Sequence, residues 1–332
     1  MLDYKHGIVD VKVGGTMRIL VTGAAGFIGT NFVRFLIGKQ VDFVAVDNLL
    51  PDSYSPEIRL RNWSNLQKDV GKKIDLQVKD LAKDNLQKLI SECSHIVNLA
   101  GIAGQYQSWI GGETYWRNNV IALQHVLESV RVNKTPKLIQ ASSSSVYGNI
   151  SSHKAKQSFN PISPYGVTKF AAEKLIASFC DSEQFETQVC ILRFFSVFGP
   201  CQRPDMGIHR FIESMLKDEK LIVYGDGEAR RTFTYVEDIC SSIWKSIENQ
   251  NARGEYDISG VETVSINQLT ESLSLILRKE PKIEFQTSRI GDQKSTIGNI
   301  EKASTDFGFS PTVGFFDGLS RQVEWHNRLR RE

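Results

Sequence analysis

Tyr165 and Lys169 stand four residues apart in the run Ser163-Pro164-Tyr165-Gly166-Val167-Thr168-Lys169. On a helix that spacing sends both side chains from one face. A phenol titrates near pH 10, so it is a poor base at neutral pH. A neighbouring ammonium would favour the phenolate and bring it toward the working range. Such a pair is common on protein surfaces, so its meaning depends on what accompanies it. One companion is the serine cluster Ala141-Ser142-Ser143-Ser144-Ser145-Val146-Tyr147-Gly148, some twenty residues earlier. A hydroxyl there could hold a substrate oxygen near the phenol. The other is Val21-Thr22-Gly23-Ala24-Ala25-Gly26-Phe27-Ile28-Gly29. Gly23 permits a tight turn, Gly26 lets backbone approach a pyrophosphate, and Gly29 allows a helix to pack closely on a strand. The free N–H groups of the helix start favour phosphate. Asp47, eighteen residues after Gly29, ends the next apolar run. A carboxylate there accepts hydrogen bonds from the adenosine ribose and repels a 2′-phosphate, which points to NAD rather than NADP.

These residues need a scaffold, and the hydrophobic pattern supplies one. Short apolar runs of strand length fall at 18–22, 41–46, 74–78, 95–99, 137–141 and 188–194. Helical patterns lie between them, at 27–37, 84–92, 113–133 and 165–183. Strands alternating with helices imply a parallel sheet covered on both faces, an α/β fold of the doubly wound Rossmann type. Ligands of such sheets bind at the carboxyl ends of the strands, where the serine cluster lies. Past residue 195 glycine and proline become frequent, and helical patterns return at 207–218, 235–248, 265–278 and 316–329. The expected division is an extension over 1–16, a dinucleotide-binding domain with the catalytic residues over 17–195, and a smaller C-terminal α/β part over 196–332.

Composition narrows the function classes. With 332 residues, 41% hydrophobic, 23% charged and a net charge of +2, the chain is an ordinary globular one with no bulk attraction for nucleic acid. The basic end Arg328-Leu329-Arg330-Arg331 suits a helix C-terminus. Five cysteines, Cys93, Cys180, Cys190, Cys201 and Cys240, form no CxxC pair. Neither a metal site nor a disulfide framework is expected, and a reducing, cytoplasmic location fits. The charged start leads into no apolar segment of a signal peptide, and no run is long enough to span a membrane.

The motifs occur in an order that resembles the extended short-chain dehydrogenase/reductase family, in its NAD-dependent sugar-nucleotide epimerase/dehydratase branch. The glycine run, Asp47, Asp80-Leu81, Asn98-Leu-Ala-Gly101, Asn118-Asn119-Val120, the serine cluster, Tyr165 and Lys169 carry the resemblance. So do Arg193-Phe-Phe-Ser-Val-Phe-Gly-Pro200, Gln202-Arg203-Pro204-Asp205-Met206, Tyr224-Gly-Asp-Gly227 and Arg231-Thr-Phe-Thr-Tyr235. It implies that Ser143 is the catalytic hydroxyl, Tyr165 the base and Lys169 its electrostatic partner. Asp80 and Leu81 would meet the adenine, while Leu99, Ala100, Gly101 and Asn118 would lie along the cofactor, with Phe27, Ile28, Asn48 and Phe195 completing that set. Arg231 and Arg289 would meet a nucleotide diphosphate, as guanidinium forks suit phosphate oxygens.

Within that family, 4,6-dehydratases carry Asp-Glu after the catalytic Thr, and decarboxylases of UDP-glucuronate keep the Glu. Here those places hold Ser144 and Ser145. Epimerisation at C4 through a transient 4-keto sugar needs neither carboxylate. A dehydratase of other regiochemistry, a 4-keto reductase and a non-catalytic NAD-binding regulator are the alternatives. Residues 193–206 resemble those of UDP-glucuronate 4-epimerases, which implies that Arg203 meets the sugar carboxylate and that Ser144 and Ser196 lie at the sugar. Cys201, Gly101, Thr232 and the segment Ile102-Ala-Gly-Gln-Tyr-Gln-Ser-Trp109 depart from the usual wording and leave room for a specialised substrate. Relatives often form homodimers through two helices per subunit, and 113–133 and 165–183 are the candidates.

Overall fold

Strand β1 (Arg18–Thr22) is the centre of the molecule. Ile19 and Val21 point to one face and Leu20 to the other, as the period of two requires. On the first face Ile19 and Val21 meet Phe32, Val33 and Leu36 of helix α1 (Phe27–Gly38). On the second, Leu20 shares a core with Val126, Leu127 and Val130 of a helix beyond residue 121. A strand buried on both sides reads as a continuous apolar run, and the sheet built on it is parallel. The computed structural model describes residues 17–51, 54–150 and 158–331, so the expected extension over 1–16 lies outside the described residues.

The chain continues through β2 (Asp42–Asp47), α2 (Pro56–Val70), β3 (Leu76–Val78) and β4 (His95–Asn98). It then passes α3 (Ala122–Asn133), β5 (Lys137–Ser143), α4 (Pro164–Cys180) and β6 (Gln188–Phe194). Beyond these come α5 (Gly207–Leu216), α6 (Val236–Glu248), β7 (Gly254–Ile258), α7 (Ile266–Leu277) and α8 (Phe315–Leu329). The seven strands form one sheet in the order β7-β6-β5-β4-β1-β2-β3, and every pairing is parallel. The order reverses between β1 and β4, and a crevice opens there at the carboxyl ends.

The two parts of the chain interleave. After β6 the backbone leaves the sheet, but Val236, Ile239 and Ile243 of α6 join the core of Phe32 and Val33, and β7 adds to the sheet with Gly254 opposite Cys190. Residue 195 is therefore the first of several crossings. The rest of the C-terminal part has its own core, in which Phe198 packs against Tyr235 and Phe315 at 5.5 and 5.4 Å between ring centroids.

Two elements differ from expectation. Helix α2 went unread because only Trp63 and Leu66 supply a buried apolar face, while its other buried residues are Arg59 and Asn62. Its end signals are present: Ser55 caps it, Pro56 opens it, and Gly71 closes it with φ 63°. The expected helix over 113–133 is interrupted by a π-helical turn, Arg117–Ile121, of the kind that concentrates at functional sites.

Candidate active site

The carboxyl ends of β1, β2, β4, β5 and β6 open onto a cleft of about 1010 Å³ that continues under the C-terminal part. Its first half has the form of a dinucleotide site. Gly23 sits at φ 66°, and a Cβ there would lie 2.8 Å from the Ala100 nitrogen, so the turn is pressed against the loop leaving β4. Helix α1 starts at Gly26 with no side-chain cap, which leaves its first N–H groups for an anion. A Cβ on Gly26 would meet only the Gly23 carbonyl group, its oxygen at 3.0 Å. Uncapped amides beside a glycine cradle fit a pyrophosphate.

Asp47 ends β2 and is 5% exposed. Its carboxylate accepts from Ala25 N at 3.1 Å, Leu49 N at 2.9 Å and Arg59 Nη1 at 3.0 Å. Sequence reasoning missed Arg59. An arginine at this end could welcome a 2′-phosphate. Here its two terminal nitrogens are taken by Asp47 and by the Leu50 carbonyl, which keeps the site suited to NAD. Phe27, Ile28, Gly29, Asn48, Asp80, Leu81, Leu99, Ala100, Gly101 and Asn118 all line this half. Asp80 is paired with Arg117, and Asn118 comes from the π-helical turn. In the same turn, buried Asn119 accepts from Ile102 N at 2.8 Å and donates to Ile102 O and Thr168 Oγ1, fastening the loop after β4 to α4.

Phe195, expected along the cofactor, is not there. It is fully buried with Val146, Tyr147 and Ile150, and Phe194 lines the cleft instead. Phe195 is the first residue past β6, where the chain leaves the sheet and turns this side chain into that cluster.

The centre of the cleft holds the expected triad. Ser163 caps α4 by accepting from Gly166 N at 3.1 Å, and the first turn carries Tyr165. Tyr165 and Lys169 are 8% and 7% exposed. Burial raises the Tyr165 phenol above its ordinary range, against a hydrogen bond with Ser143 and the positive charge of Arg203. Arg203, which the sequence reading assigned to the sugar, thus also bears on the phenol. Lys169 Nζ donates to the Ala141 carbonyl at 3.2 Å. Burial brings its pKa down to about 8, partly opposed by Glu173 one turn further on. Behind the triad runs a buried network the sequence did not disclose. Ser142 Oγ donates to Glu173 at 2.5 Å, and Arg193 grips Glu173 through two bonds of 2.9 and 2.7 Å. Arg193 also reaches Tyr147, which donates to Asp257 at 2.8 Å.

The far half of the cleft gathers arginines among the carboxylates of Asp205, Asp226, Glu228 and Asp292. Arg231 and Arg289 line it as expected, with Arg210 of α5 beside them. Arg289 lies 3.4 Å from the centre of the Tyr224 ring, and Arg289 and Arg210 together hold that phenol below its ordinary range against the effect of burial. Arg203 lines the cleft with Nε and Nη2 on Asp205 at 3.0 and 2.7 Å, and Nη2 also on Ala103 O at 2.8 Å. Ser196 lines it at φ 30°, a left-handed conformation that costs a non-glycine residue energy and concentrates at functional positions. Ser144 and Ser145 are each 6% exposed, and both line the cleft. Cys201 lies in the core behind it. Outside the cleft lining, His209, Glu213 and His326 cluster within 4.8 Å, with Glu213 held by His326 at 2.8 Å and Arg330 at 3.1 Å.

Residues 19–259 match the NAD dependent epimerase/dehydratase family. The UDP-glucuronate 4-epimerase of Thermodesulfobacterium geofontis is 32% identical, over 92% of this chain and 95% of its own. The crystal structure of UDP-glucuronic acid 4-epimerase from Bacillus cereus, in complex with UDP-glucuronic acid and NAD, superposes with a TM-score of 0.88 at 35% identity, covering 94% of this chain and all of that one. MoeE5 in complex with UDP-glucose and NAD gives 0.84 at 33% identity, over 95% of this chain and all of its own. With the dinucleotide turn, the Ser143–Tyr165–Lys169 triad and these likenesses in hand, the chain belongs to the NAD dependent epimerase/dehydratase family.

Proposed function

We propose that the protein is a UDP-sugar 4-epimerase, with UDP-glucuronate as the favoured substrate. The observation that carries this reading is the gathering of Ser143, Tyr165 and Lys169 at the centre of the cleft, flanked by Ser144 and Ser145 where an eliminating or decarboxylating enzyme needs carboxylates. NAD, bound along the turn at Gly23–Gly29 and Asp47, would accept hydride from the sugar C4 and return it. Tyr165 takes the proton of the sugar 4-hydroxyl and later gives it back. Ser143 holds the same oxygen, and Lys169, fixed on the Ala141 carbonyl, adds positive charge near that end of α4. Arg231, Arg289 and Arg210 hold the diphosphate end while the 4-keto sugar turns over between its two faces.

Arg203 favours an acidic sugar. Its Nε and Nη2 are engaged by Asp205 and Ala103, and the guanidinium remains beside Tyr165 with Nη1 for a sugar carboxylate. The likeness to the two UDP-glucuronate 4-epimerases supports the same choice. Proton NMR of UDP-glucuronate incubated with the protein tests it: appearance of the 4-epimer supports the reading, and an unchanged spectrum refutes it. We also place a twofold partner on the faces of α4 and the helices preceding α3, where Trp116, Ile121 and Val167 are 45, 44 and 40% exposed. Light scattering after gel filtration would show twice the 37.4 kDa of one chain, and a monomer would refute the placement. Among the described residues no helix is long and apolar enough to cross a membrane.

A further inference from the structure

Gln105 lies in the segment 102–109, where this chain departs from the family wording, and its amide joins three parts of the cleft wall. Nε2 donates to Ser145 Oγ at 3.1 Å and to Gln293 Oε1 at 2.8 Å. Oε1 accepts from Ser163 Oγ. Gln293 Nε2 donates to the Gly148 carbonyl, which turns Gln293 Oε1 toward Gln105, so the Gln105 atom that faces it is the nitrogen. That settles which end of the amide is oxygen, and both of its N–H groups are in use.

From Ser145 the contacts continue to the base. Ser143 Oγ lies 3.1 Å from Ser145 Oγ and accepts from Ser145 N at 3.2 Å; Ser143 lines the cleft with Tyr165 and favours its phenolate against burial. A hydroxyl exchanges donor and acceptor roles by rotating; an amide N–H cannot. While Tyr165 is a phenol, Ser143 donates toward Ser145. Once Tyr165 has become a phenolate, Ser143 must donate to it and Ser145 to Ser143. The Gln105 N–H then heads a row in which every donor points at the negative charge, and bonds aligned in this way strengthen one another.

We infer that Gln105 is a positioning residue for proton transfer at Tyr165, holding Ser145 and, through Ser145 and Ser143, the hydroxyl that faces the base. The inference rests on the epimerase reading only in taking Tyr165 as that base. Its second arm, Gln293, carries the carbonyl that accepts from Arg231, so one side chain ties the diphosphate wall to the row.

Gln105→Met keeps the length of the side chain and removes its donors; Gln105→Glu puts an acceptor where the row needs a donor. The protein saturated with NAD is titrated by tyrosinate absorbance, and subtracting the curve of Tyr165→Phe isolates Tyr165 from the remaining tyrosines. The expected midpoint rises by about one pH unit in Gln105→Met, a tenfold loss of phenolate at a fixed pH, and further in Gln105→Glu. Ser145→Ala reproduces the shift, and adding Gln105→Met to it gives no more. The acid limb of kcat moves by the same interval. Midpoints equal to the wild type, or kcat lowered equally at every pH, overturn the inference. Should the wild type turn over no UDP-sugar, the epimerase reading fails while the titration still decides the role of Gln105.

Discussion

Replacing Glu173 with Gln removes the carboxylate on which the support of the catalytic helix converges. Glu173 and Arg193 are 5% and 6% exposed, and two bonds of 2.9 and 2.7 Å join them. Taking one partner from a buried ion pair leaves the other charge without compensation and costs about 3–5 kcal/mol. Arg193 keeps its bond to Tyr147 and the nearby charge of Asp257, so the cost should fall at the lower end, about 3 kcal/mol. Urea denaturation would show a lower midpoint at unchanged slope. A double variant, Glu173→Leu with Arg193→Met, should lose less than the sum of the two single ones, since each single one leaves its partner's buried charge unpaired. A second readout comes from Lys169, whose pKa lies at about 8 because burial lowers it while Glu173 opposes the fall. Its ammonium is present at pH 7 and lost as pH rises through about 8. Without Glu173 that loss moves to lower pH, and the alkaline limb of kcat moves with it. A cost below about 1 kcal/mol, the level of an exposed pair, together with an unmoved alkaline limb, would refute the reasoning.

Tyr165→Phe should lower kcat by about 10²–10⁴-fold, the range of a lost acid–base group, while NAD binding measured by fluorescence stays intact. Asp47→Ser should relax cofactor choice, because Arg59 loses its carboxylate partner and becomes free for a 2′-phosphate; competition binding would show NADP gaining on NAD. Arg203→Met should raise KM for UDP-glucuronate by about 10–100-fold, the worth of one charged hydrogen bond, and leave UDP-glucose little affected.

The sheet was legible because its strands are buried on both faces and stand out as apolar runs, as in Ile19–Val21. The glycine turn was legible for a different reason: at Gly23 and Gly29 backbone presses on backbone, and no other residue fits there. Ser143, Tyr165 and Lys169 followed from spacing and from resemblance. What escaped was polar and long-range. Arg59 came from a helix without an apolar stripe, and Arg193 and Glu173 are 20 positions apart with nothing local to pair them. Phe195 was misplaced by one residue, because the chain leaves β6 after Phe194 and turns the next side chain away from the cleft. A second source of positive charge at Tyr165 was not legible: Arg203 reaches in from a loop 38 positions after the tyrosine.

Incubation of the purified protein with UDP-glucuronate, UDP-glucose and UDP-N-acetylglucosamine, without added NAD and followed by proton NMR, tests the central claim most directly. The account predicts interconversion of UDP-glucuronate with its 4-epimer and no net formation of NADH. A product lacking one water or carbon dioxide, or NADH accumulating in step with product, would contradict it.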